Sequence, residues 1–238
     1  MPTSDDRYFI KAGYRPNAAA ATYDAPADAA YWNEARIAAA ADYQYDAYRL
    51  AAGIVSLHSL GALLDVGCGP PRKLAELMPS GLRIHLIDQP STRPIATRLL
   101  PEATFTDADL ENITLDLGES FGLIVCADVI EHLLDPDPCL AFMRRHLTPG
   151  GLLLLTTPER DVLRGPTCDH CPHPMHVREW NRSEFRAFLE SRGLKVVEQR
   201  LLPQRRVSIL RQLAGRVLDA LGRTPGWYSC QLALCSKR

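Results

Sequence analysis

The chain has 238 residues, 46% of them hydrophobic, with 27 Lys and Arg against 28 Asp and Glu and a formal charge of -1. That length supports one sizeable core and suits a single α/β domain with an N-terminal extension. A charge balance this even argues against a nucleic-acid groove, which draws on a basic excess. The polar run Met1–Lys11 lacks the apolar stretch of a signal peptide, and no segment reaches the roughly 18 apolar residues of a membrane span. Seven cysteines, an odd number scattered through the chain, read as free thiols and a cytoplasmic location.

Residues 17–41 are rich in alanine, which favours helix beyond Pro26. The helical pattern runs from Tyr31 to about Leu57, with Tyr45, Tyr48, Ala52 and Val55 on one face. Gly61 ends this prelude and divides a helical segment, residues 1–60, from a main domain at 61–238. Strand and helix then alternate. The strands are expected at Leu63–Val66, Leu82–Ile87, Ala103–Thr106, Phe121–Ala127, Gly151–Thr157, Leu194–Leu201 and Cys230–Cys235. Apolar runs of this kind fit strands buried on both faces of a parallel sheet. Asp137-Pro138 reads as a helix cap followed by Pro at the first helical position, and Asn181 with Glu184 has capping-box spacing. Arg205–Leu221 reads as an amphipathic helix with an apolar stripe of Leu210, Leu213, Val217 and Leu221. That stripe is expected to pack on the sheet, with a cover over the acceptor site, a dimer contact or an anionic membrane as the alternatives.

The most informative segment is Asp65-Val66-Gly67-Cys68-Gly69-Pro70. An acid sits at the end of a buried strand, and two glycines open the turn into a helix, where a ligand can lie against bare backbone. A carboxylate there repels a pyrophosphate but attracts a cation. Asp88 closes the next strand, placed to accept ribose hydroxyls, with Gln89 beside it. Asp109 and Leu110 follow the third strand, where a carboxylate and a backbone can read an adenine. Ala127 ends the fourth.

Together with the run Asp128-Val129-Ile130-Glu131-His132, these residues resemble the class I S-adenosylmethionine-dependent methyltransferases, closest to the small-molecule branch of quinone, sugar and natural-product enzymes. The resemblance spans about Ala62 to Leu201. It implies a Rossmann-like, seven-stranded, mostly parallel sheet with helices on both faces and the last strand antiparallel, with the N-terminal segment 1–60 as a helical lid. It implies S-adenosylmethionine as cofactor, with Gly67 and Gly69 along the methionine part, Asp65 near its amino group, Asp88 and Gln89 at the ribose, and Asp109 and Leu110 at the adenine. Pro71 stands where the family often has a third glycine. A nicotinamide-dependent oxidoreductase is disfavoured by that missing glycine and by the leading acid. A non-catalytic module of the same fold is the remaining alternative.

On the acceptor side, a small molecule is expected as methyl acceptor. His132 lies just past the fourth strand and is the first candidate general base, titrating near 6.5 if unperturbed. His176 is the second. In quinone-methylating relatives the run matching Asp128, Glu131 and His132 can bind a divalent cation; the structural alternative is that Glu131 and His132 orient the following loop. Cys168, Cys171, His173 and His176 are zinc-ligand types, but four within nine residues with two prolines would strain a tetrahedron. No metal is expected there.

Overall fold

The computed structural model describes residues 6–17, 19–20 and 32–238. Tyr31 and the Ala-rich residues 21–30 lie outside the described residues. Seven strands form one sheet in the order β3-β2-β1-β4-β5-β7-β6: β1 (Ala62–Val66), β2 (Arg83–Asp88), β3 (Thr104–Asp107), β4 (Phe121–Ala127), β5 (Leu147–Pro158), β6 (Leu194–Leu202) and β7 (Cys230–Lys237). The first five run parallel, and β7 runs antiparallel to both β5 and β6. This is the expected architecture. Strand β5 starts four residues earlier than Gly151, because Leu147 already pairs with Phe121 and a register shift absorbs the intervening turn at Gly150.

The chain steps outward from β1 to β3, then returns to place β4 on the other flank of β1. That reversal opens a crevice at the carboxyl ends of β1 and β4, where ligands of open α/β sheets bind. Two apolar layers hold the sheet. One sets Leu64, Ile124 and Leu153 against Phe142, Phe185 and Trp180. The other sets Leu63, Leu123 and Leu154 against Ala47, Tyr48, Ala51 and Val55.

The expected single helix from Tyr31 to Leu57 is two: α1 (Glu34–Asp42) and α2 (Tyr45–Leu57). The break is at Gln44, whose backbone is left-handed at φ 58°. Its amide donates to the Gln204 carbonyl, so a tertiary contact replaces a helical one. Helix α2 is packed into the core, whereas α1 buries only Ile37.

The remaining helices are α3 (Arg72–Leu77), α4 (Arg93–Leu99), α5 (Asp137–His146), α6 (Arg160–Arg164), α7 (Arg182–Ser191) and α8 (Ile209–Ala220). Pro136 caps α5, which puts Pro138 at the second helical position; the Asp137 carboxylate is turned instead to Arg7 and Arg192. Helix α7 has the expected capping box at Asn181 and Glu184. Glu184 also receives the fully buried Arg160 in a two-point ion pair at 2.6 and 3.0 Å. A buried charge is tolerated only when paired in this way.

Candidate active site

The β1–α3 turn shows why glycine is needed. Gly67 has φ +72°, and a Cβ there would lie 2.4 Å from Val129 Cγ2. Valine cannot swing away cheaply, since its χ1 is stiff. Gly67→Ala is expected to lose about 2 kcal/mol or more, from left-handed strain plus overpacking. Denaturant titration measures it, and Gly67→Ala/Val129→Ala should recover only the packing part.

Asp88 ties this turn to β2. Its carboxylate accepts from the Gly69 and Gln89 amides, both at 2.7 Å. Burial raises its pKa, against those hydrogen bonds. A cavity of about 350 Å³ lies alongside, lined by Gly67, Gly69, Asp88, Gln89, Asp109 and Leu110, with His132 and Met175 at its far side. That volume is within the range of small-molecule sites. A neighbouring cavity of about 310 Å³ continues past Ala127, Tyr48 and Lys73. Trp32 lies over both, its indole donating to Thr92 Oγ1 at 3.1 Å.

Asp65 is buried beneath the turn. The Tyr48 hydroxyl donates to Oδ2 at 2.9 Å, while Oδ1 has no partner. Burial lifts its carboxyl to about 7, despite Tyr48 and Lys73. Asp65, Asp88 and Asp128 thus gather round the glycine turn with Lys73 among them, and burial lowers the Lys73 pKa. The surroundings favour a cationic ligand over a pyrophosphate. Asp109 is exposed, and its carboxylate accepts from the Glu111 amide and the Asn112 side chain of its own loop.

Asp128 is the hinge of the site. It borders both cavities and a third, of about 340 Å³, lined by Gln44, Arg164, His173, His176, Gln204 and Cys230. Its backbone is left-handed at φ 54°, uncommon outside glycine. Gln44 Nε2 donates to its carboxylate, and Cys230 Sγ donates to Gln44 Oε1 at 2.8 Å. Asp128 stands out in the sequence as part of its motif, whereas Gln44, between Tyr43 and Tyr45, carries no local signal of this contact.

The two candidate bases stand together, ring centroids 4.7 Å apart and edge to face. His132 Nδ1 meets the Met175 carbonyl at 2.7 Å. A carbonyl only accepts, so Nδ1 carries the hydrogen. Burial and the adjacent His176 push this imidazole down to about 4. The titration near 6.5 expected for it is therefore displaced, and a ring of such low basicity is a poor proton acceptor. His176 Nδ1 meets Glu179 Oε1 at 2.8 Å. Burial acts to raise Glu179, but His176 and Arg164 outweigh it and hold the carboxyl at about 2. Arg164 grips the same carboxylate at two points, 3.0 and 3.1 Å. Glu179 thus fixes the His176 ring and leaves Nε2 as the acceptor of the neutral tautomer.

Arg178, next to Glu179 in the sequence, turns away from it. It is buried, donates to the Leu133 and Leu134 carbonyls, and lies over the Tyr8 ring. Trp180 is a core residue stacked on Phe188.

Among the described residues, Glu131, His132 and His176 bring ligand atoms within 4.8 Å of one another. Both Glu131 carboxylate oxygens are buried without a partner. Cys168, Cys171 and His173 stand outside this group. Cys168 Sγ donates to the His170 carbonyl, His173 Nδ1 accepts from the Met175 amide, and Cys171 is buried.

A glycine turn under an acid-lined crevice, on a sheet of this order, defines the class I methyltransferase fold. The methyltransferase-domain family model matches residues 35–199, and the chain belongs to that family. It is 28% identical over 175 residues to a ubiquinone biosynthesis O-methyltransferase of Paramagnetospirillum magneticum, covering 68% of this chain and 65% of that one. With the corresponding protein of Cereibacter sphaeroides ATCC 17029 it shares 32% over 104 residues, covering 42% of each. The matched segments thus fall short of two thirds of these relatives' own length. Among solved structures, N-methyltransferase NodS of Bradyrhizobium japonicum with S-adenosyl-L-homocysteine superposes with a TM-score of 0.55 at 21% identity, covering 79% of this chain and 85% of that one. The 1,6-didemethyltoxoflavin-N1-methyltransferase of Burkholderia thailandensis gives 0.54 at 19%, covering 80% and 78%. These two likenesses concern the fold.

Proposed function

We propose that the protein is an S-adenosylmethionine-dependent methyltransferase acting on a small molecule, with a hydroxyl of a sugar-like or secondary metabolite as the favoured acceptor and an amine as the alternative. The observation that carries this reading is the position of Asp128. It joins the acid-lined crevice at the glycine turn to the cavity holding His176. Bound S-adenosylmethionine supplies an electrophilic methyl on a cationic sulfur. Asp88 and Gln89 would hold the ribose, Asp109 and Leu110 the adenine, Gly67, Gly69 and Ala127 the methionine part, with Asp65 toward its ammonium group. The acid-rich surroundings offset the cofactor's charge, and held geometry supplies much of the rate. The hydroxyl proton passes to Nε2 of His176, with Glu179 holding the ring.

Residues 1–60 are proposed as a lid, anchored by α2 and closing through α1 and Trp32. Seven free cysteines fit a cytoplasmic protein.

A second reading rests on Glu131. With His132 and His176 it would hold a divalent cation, which would stabilise the acceptor's developing negative charge. The carboxylate and two imidazoles suit a transition ion, with Glu179 on His176 and the Met175 carbonyl on His132 as outer partners.

Calorimetry with S-adenosylhomocysteine, then turnover on phenolic, sugar and amine acceptors, tests the proposal. Tight NAD binding with no response to S-adenosylhomocysteine would overturn it. Turnover that survives exhaustive chelation favours the base; turnover lost and restored by a divalent cation favours the second reading.

A further inference from the structure

Helix α8 faces the opposite way from its pattern. Its apolar stripe points to solvent: Ile209 is 69% exposed, Leu210 80%, Leu213 50%, Val217 58% and Leu221 67%. The packed side carries Gln212 and Gly215. The cause is a notch. A Cβ on Gly215 would meet Tyr228 at 2.5 Å, so the bare glycine lets the Trp227–Tyr228 corner press against the helix. Gln212 accepts from Arg49 at 2.9 Å. The helix is thus docked by its polar side, and its leucines are left outside. Large exposed apolar patches of this kind mark an interaction surface.

The charge around the stripe says what kind. Residues 204–224 hold five arginines, Arg205, Arg206, Arg211, Arg216 and Arg223, and one acid, Asp219, in a chain of net charge -1. All five arginines are exposed; Arg206 pairs with Glu76, and Asp219 is taken by Arg182. At 3.6 residues per turn, Arg211 and Arg216 fall on opposite flanks of the leucine stripe. An isologous pair of such faces would set arginine against arginine. A nucleic acid would match the charge but not the leucines.

We propose that α8 seats this protein on an anionic phospholipid surface. The stripe enters the boundary between headgroups and acyl chains, and the flanking arginines reach the phosphates, as long basic side chains do at such interfaces. The inference is independent of the methyl-transfer reading. It nonetheless has a spatial consequence: Gln204, five residues before α8, lines the His176 cavity, so docking would bring that cavity close to the bilayer.

Cosedimentation of the full chain with vesicles, without cofactor or acceptor, tests it. Binding should be about tenfold or more stronger to vesicles with roughly 30 mol % phosphatidylglycerol than to pure phosphatidylcholine, and should fall as salt rises. Leu213→Glu/Val217→Glu should abolish it. Both sites are exposed, so thermal melting followed by circular dichroism should be unchanged. Absence of binding to anionic vesicles, or binding that the double variant retains, would overturn the proposal. So would a concentration-dependent dimer in analytical ultracentrifugation that the double variant abolishes while vesicle binding is absent.

Discussion

Replacing His176 by Gln is expected to slow methyl transfer to a hydroxyl acceptor by about 10²–10⁴-fold, the usual worth of a positioned general base. Affinity for S-adenosylhomocysteine should stay almost unchanged, because His176 borders the cavity beyond Asp128 rather than the glycine turn. Single-turnover kinetics on the variant and calorimetry on the same sample give both quantities. A structural role predicts a different outcome, with lower thermal stability and no rescue. In His176→Gly, added imidazole should restore part of the rate, since the vacated space opens on the cavity. Glu179→Gln should lower the rate less than loss of the ring, because an amide oxygen still accepts from Nδ1 but no longer carries the charge that stabilises an imidazolium. His132→Gln should leave the pH profile above 5 unaltered, because a ring held near 4 is already neutral there. If instead His132→Gln loses the full factor while His176→Gln keeps its turnover, the assignment of the base is wrong.

Asp88→Ala is the largest effect expected on the cofactor side. Loss of a charged hydrogen-bond partner costs about 1.5–3 kcal/mol, which is roughly a ten- to hundredfold rise in the dissociation constant of S-adenosylhomocysteine. The substitution also strands the Gly69 and Gln89 amides that the carboxylate now receives at 2.7 Å. Asp88→Asn separates the two effects, since it keeps an acceptor for one amide while removing the charge. An unchanged affinity in both variants would take Asp88 out of the binding site. A melting curve on each excludes a general loss of fold.

The sheet was legible because its strands are buried on both faces and therefore read as unbroken apolar runs. Phe121–Ala127 was found to the residue. The glycine turn and the acids at strand ends were legible because they sit at fixed places in such a sheet. What was hidden depends on contacts between distant segments. The break at Gln44 follows from its amide reaching Gln204, 160 positions further on, and local helix propensity carries no trace of that. His176 and Glu179 lie three residues apart, yet the same carboxylate is also gripped by Arg164 arriving from α6, which spacing does not reveal. The direction of α8 was misread because periodicity identifies an apolar face without saying what it meets. Gly215, a single missing Cβ, decided the side that packs.

The wall of the His176 cavity is unequal. On one side His176 opens the run His176–Trp180, every residue buried, with Arg164 on the Glu179 carboxylate and Arg160, paired with Glu184, on the Glu179 carbonyl. A change there strands a charge or opens a hole in the core. Along the other side, residues 165–175 are mostly exposed and meet the N-terminal segment through backbone bonds at Arg15. Backbone bonds do not care which side chain they carry. Selection for a new acceptor therefore has a cheap direction and a forbidden one. Substitutions at the exposed positions of that loop, Gly165 and the buried Cys171 aside, should reshape the mouth of the cavity at little cost in stability, while the buried wall stays fixed. Laboratory evolution of this chain toward a new acceptor should accumulate its changes in that loop and leave His176, Glu179 and Trp180 alone.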